Sequence, residues 1–155
     1  MKTMGLNLIW STVVWIFVIG GFTLFFRKRI SKITSFIPLP RWIMYLLIGM
    51  VFATIEENIN CPPSELGGCS FFPFTLVFFF MFLLLHLLLL KFTRIKNFYL
   101  AIFIFGGIGW CTEFLLGSSK QVLWSSPGIT LLMTFWVILT YAIIVIIPAT
   151  LWTQS

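Results

Sequence analysis

Long uncharged runs constrain this chain more than any other feature. From Met4 to Phe26 there is no charged residue, and about 23 residues at ~1.5 Å each suffice to cross ~30 Å of hydrocarbon as a helix. Runs of similar character recur over 42–60, 74–90, 97–117 and 129–152, the last interrupted late by Pro148. With 60% hydrophobic and only 9% charged residues, and a mean hydropathy of +1.08, the chain cannot present the charged surface that disperses a soluble domain. The expected fold is therefore all-α: a polytopic transmembrane helical bundle of about five spans, forming a single integral membrane domain over 1–155. The 19 Phe and 7 Trp are ordinary for lipid-facing helices and interfaces, and imply no aromatic cofactor box.

The formal charge of +6 does not indicate nucleic acid, because the basic residues sit in short clusters between the apolar runs rather than along one solvated face. Arg27, Lys28, Arg29, Lys32 and Arg41, then Lys91, Arg94 and Lys96, are eight of the ten. Read as positive-inside signals, they place the N-terminus outside and the C-terminus inside the cell (inner or plasma) membrane. Lys2 and an external Lys120 run against this orientation. The first run is too long for a signal-peptide core, and its basic flank follows it, so a retained first span is expected. Ile37-Pro38-Leu39-Pro40 breaks the chain before Arg41-Trp42, an interfacial anchor, whereas Asn60 to Cys69 and Ser118 to Gly128 read as exposed external loops.

Into this apolar background the sequence sets carboxylates. Glu57 lies three residues before Asn60 and Glu113 four before Gly117, so each is expected roughly 5 Å below the outer end of its helix. A carboxylate in hydrocarbon costs several kcal/mol unless it is paired, protonated or facing a polar cavity, and is by default a functional-site hypothesis. Gly49, Ala53 and Glu57 form one row of small residues ending in an acid, and Gly106, Gly109 and Glu113 another. The expectation is that Glu57 and Glu113 face into the bundle, while Glu56, rotated by about 100°, sits at the cavity edge or snorkels to water. Gly49 to Glu56 and Gly107 to Glu113 also echo each other: Gly, two spacers, an aromatic, a small residue, Thr and an acid, with one extra residue before the first acid. Thr54, Thr112 and Trp110 are the supporting candidates. Carboxylates brought together in a low-dielectric pocket cannot all ionise, which supplies a proton donor at neutral pH.

His86 does not join these acids. About 12 residues, or ~18 Å, separate it from the outer end of its helix, which predicts a buried or inner-interface hydrogen-bonding residue and no metal centre. Glu56-Glu57 followed by Phe82-Leu83-Leu84-Leu85-His86 resembles the first two motifs of the CAAX-type intramembrane proteases. That resemblance implies a Glu/His site, but Cys61 stands where the family motif has Arg, and no second His exists to supply its further motif, so membership is not assigned. Cys61 and Cys69 flank a Pro- and Gly-rich loop and are spaced to close a disulfide on the external side; Cys111 reads as a small packing residue.

No nucleotide, phosphate or metal motif is present, so chemistry here would need no cofactor. The leading expectation is a membrane enzyme acting on an apolar lipid or isoprenoid, with Glu57 and Glu113 as acid and base and Glu56 assisting. The alternatives are a non-catalytic accessory or immunity-type subunit packed against another membrane protein, and a homo-oligomeric proton or cation pathway. Membrane lipid is the common partner of all three.

Overall fold

In the computed structural model, residues 9, 10, 12–60, 73–116 and 126–154 are described. They contain six α-helices and two π-helical segments: π1 (Thr12–Gly20), α1 (Gly21–Thr34), α2 (Arg41–Asn60), α3 (Pro73–Thr93), α4 (Phe98–Cys111), π2 (Thr112–Leu116), α5 (Pro127–Ile144) and α6 (Ile146–Thr153). Four stretches, Arg41–Ile59, Leu76–Thr93, Phe98–Leu115 and Pro127–Ile144, are long and apolar enough to cross a membrane. The chain is a small polytopic membrane protein built as a helical bundle. Residues 61–72 and 117–125, with Cys61, Cys69 and the expected disulfide, lie outside the described residues.

Local chemistry sets the helix ends. Asn97 caps α4, its side chain accepting from the Leu100 N–H at 3.1 Å. Ser126 caps α5 ahead of Pro127, the position where a residue without an N–H loses nothing. Helix α3 ends at Arg94, whose φ of 53° places it in the left-handed conformation typical of helix C-termini.

Two boundaries differ from the hydropathy reading. The first apolar run ends at Phe26, but π1 and α1 continue without interruption to Thr34. Apolarity marks where a chain leaves hydrocarbon, whereas Arg and Lys are good helix formers, so the helix persists towards the Pro38 break. The final run is two helices, not one. The break falls at Val145, with φ −106° and ψ 9°, three residues before Pro148, because a proline ring clashes with the carbonyl four residues earlier, here that of Ile144. The chain resumes as α6, in whose first turn Pro148 is tolerated.

That break redirects the terminal helix into the bundle, where α6 packs against α1, α2 and α4. Residues 141–150 are buried throughout. Helix α5 packs most extensively on α4, and α2 on α3 and α6. The Trp15 indole N–H of π1 donates to the Thr140 carbonyl at 3.0 Å, and that of Trp136 donates to Thr12 at 2.9 Å, tying π1 to α5. The lipid-facing surface is apolar, as Phe17 (70% exposed) and Phe78 (61%) illustrate.

Candidate functional site

The glycines of α4 dictate how closely α5 approaches it. A methyl on Gly106 would lie 2.6 Å from the Ile138 carbonyl oxygen, and one on Gly109 only 2.1 Å from the Tyr141 ring. Both separations are below van der Waals contact, so the missing side chains are what admit α5. The Tyr141 ring occupies the space above Gly109, and one turn further along the same face its hydroxyl donates to Glu113 Oε1 at 2.9 Å. A phenol buried among Phe79 and Phe105 would be costly without such a partner.

Glu113 lies within π2, where the helix widens. Immediately before it, the Thr112 hydroxyl donates back to the Ile108 and Gly109 carbonyls at 3.1 and 2.8 Å. A side chain inserted into the backbone ladder is a common cause of such local changes in winding. Thr112 therefore serves its own helix and not the acids. Trp110 likewise faces α5, its indole N–H donating to the Thr134 hydroxyl at 3.1 Å, and its ring lies 5.3 Å from that of Phe114.

From α2 come the other two acids. Glu113 acts electrostatically on Glu57, and Glu113, Glu56 and Glu57 all act on the Tyr141 phenol. All three carboxylates thus lie within electrostatic range of one hydroxyl, which is hydrogen-bonded to Glu113. Their burial reverses the expected order: Glu56 is 6% exposed, whereas Glu57 is only partly buried. The expectation that Glu56 turns towards water is corrected by helical geometry. Seven residues beyond Gly49 is about 20° short of two full turns, while eight residues is about 80° past them. Glu56 thus shares the Gly49 face that packs against Leu83, and Glu57 is rotated towards its edge. Thr54 contributes its backbone carbonyl, which accepts from the Asn58 amide at 2.7 Å.

None of the eight described basic residues belongs to this end of the bundle. Arg27, Lys28, Arg29, Lys32, Arg41, Lys91, Arg94 and Lys96 occupy α1 and the opposite ends of α2, α3 and α4.

His86 forms a separate polar pair. It is fully buried, its Nδ1 shares a hydrogen bond with the Tyr45 hydroxyl, and its ring lies 5.2 Å from Phe105. Nε2 makes no hydrogen bond of ordinary geometry, and the Ala101 backbone is a polar neighbour of the ring. Phe105 is a neighbour common to this pair and to Tyr141, whose ring centre lies 6.3 Å from its own. No group of three or more His, Cys, Asp or Glu side chains among the described residues could hold a metal ion.

Tyr141 is the residue that reading the sequence missed. Its signal was present: a phenol in the middle of an apolar run needs a hydrogen-bond partner. Compared with protein-family models, curated proteins and solved structures, the chain matches none.

Proposed function

We propose that this protein is a cofactor-free enzyme of the cell membrane acting on an apolar lipid or isoprenoid, with Glu57 and Glu113 as acid and base, Glu56 assisting, and Tyr141 positioning Glu113. The observation that carries the reading is a buried phenol hydrogen-bonded to Glu113, with Glu56 and Glu57 within electrostatic range of it. Carboxylates crowded together in a medium of low dielectric share protons rather than all ionising. One carboxylic acid can then protonate an alkene carbon, forming a carbocation, while a neighbouring carboxylate removes a proton from an adjacent carbon. The double bond moves or a ring closes, one proton is gained and one lost, and no oxidant or reductant is needed. A partly buried Glu57 at the edge of the cluster suits the group that meets a substrate arriving from the bilayer.

The test compares extracted lipids, by mass spectrometry, from membranes carrying the wild-type protein, Glu57→Gln, Glu113→Gln or Tyr141→Phe. A product specific to the wild type should vanish in both Gln variants and fall in Tyr141→Phe, which retains the ring but not the donor. Lipid profiles identical across all four would exclude the enzyme.

The His86–Tyr45 pair favours proton passage as a second reading, because it places titratable groups further along the bundle than the acids. That reading requires pH changes across vesicles that depend on both Glu113 and His86. The lipid chemistry requires Glu57 and Glu113 but not His86.

A further inference from the structure

Where α1 meets the start of α4, an open groove of about 410 Å³ is lined by Gly21, Leu24, Phe25, Arg27, Lys28 and Tyr99. We propose that this groove binds the head group of an anionic phospholipid. Both of its walls pass from apolar to charged at the same level. On α1 the apolar Gly21–Phe26 stretch gives way to Arg27 and Lys28, and at α4 Lys96 and Asn97 give way to Phe98 and Tyr99. That is the composition of a helix at the head-group boundary, and basic pockets between membrane helices are suited to anionic head groups.

The Arg27 guanidinium is already oriented. Its carbon lies 4.0 Å from the centre of the Phe98 ring and 5.6 Å from that of Tyr99, a cation–π arrangement that holds the charge at the groove, and a guanidinium carries five N–H donors with which to meet a phosphate. Lys28 is exposed beside it and adds a second positive charge. Among the described residues the carboxylates belong to the other end of the bundle, Glu113 lying 14 residues beyond Tyr99, about 21 Å along the helix axis. The neighbouring wall is apolar and open: Phe25 is 83% and Leu24 42% exposed. A phosphate held by Arg27 and Lys28 would lay its acyl chains along these side chains, which distinguishes a lipid from a free anion. Gly21 leaves the floor clear, with nothing within 4 Å of where its Cβ would be.

The test uses the intact protein in mild detergent, with native mass spectrometry of bound phosphatidylglycerol and of phosphatidylcholine with the same acyl chains. Phosphatidylglycerol should be retained preferentially, and inorganic phosphate should not displace it. Arg27→Gln with Lys28→Gln should weaken retention about 25-fold, since each basic side chain near an anionic surface contributes about fivefold. Arg41→Gln with Lys91→Gln, basic residues outside the groove, should leave it unchanged. Gly21→Leu fills the groove while sparing the charges, and should also abolish retention; it decides the matter if the charge variant does not fold. Equal retention of the two lipids, displacement by phosphate, or full retention in Gly21→Leu would overturn the proposal.

Discussion

Gly106, Gly107 and Gly109 lie within one turn of α4, yet a methyl group at each meets a different environment. At Gly107 it would find nothing within 4 Å, at Gly106 a backbone carbonyl of α5, and at Gly109 the ring that reaches Glu113. Gly107→Ala should therefore be neutral or stabilising by up to about 1 kcal/mol, the ordinary helix preference for alanine. Gly109→Ala and Gly106→Ala should each destabilise by about 1–3 kcal/mol through overpacking. Thermal unfolding of the three purified variants checks the order, and an unfolding temperature for Gly109→Ala equal to that of Gly107→Ala would contradict the α4–α5 packing. Gly109→Ala should also displace Tyr141 from Glu113 and so reduce any chemistry that depends on that hydrogen bond.

At the scale of the element, the helices stop where local chemistry dictates and not where hydropathy changes. Arg94, at φ 53°, adopts the left-handed conformation at a cost of about 1 kcal/mol or more that glycine would not incur. Arg94→Gly should thus raise the unfolding temperature, and Arg94→Val, whose branched Cβ is worse still, should lower it. Equal temperatures for the two would show that the α3 terminus does not hold this conformation. The Pro148 break was visible in the sequence, but its consequence was not. A proline announces an interruption, whereas the burial of α6 between α1, α2 and α4 depends on three elements distant in the chain.

Across the whole molecule, charge is segregated. The described carboxylates lie within electrostatic range of Tyr141, while the described basic residues occupy the opposite helix ends. If the basic end is cytoplasmic, as the positive-inside bias expects, cysteines at Thr34 and Thr93 in a cysteine-free background should react with a membrane-impermeant reagent only from the cytoplasmic side. A cysteine at Ser126 should react only from the other side. Labelling of all three from one side would refute this orientation.

Apolar run length alone determined that the chain is helical and crosses a membrane, because ~30 Å of hydrocarbon demands about twenty residues whatever their neighbours do. The small-residue rows marked where helices approach, for the same local reason: a missing side chain leaves room. Tertiary structure decided what fills that room. Tyr141 meets Glu113 because α5 lies across Gly106 and Gly109, and Glu56 rather than Glu57 is the more deeply buried acid because α2 turns its Gly49 face towards α3. Composition does not encode these rotations, since which face of an apolar helix turns inward depends on the shape of the surface it packs against.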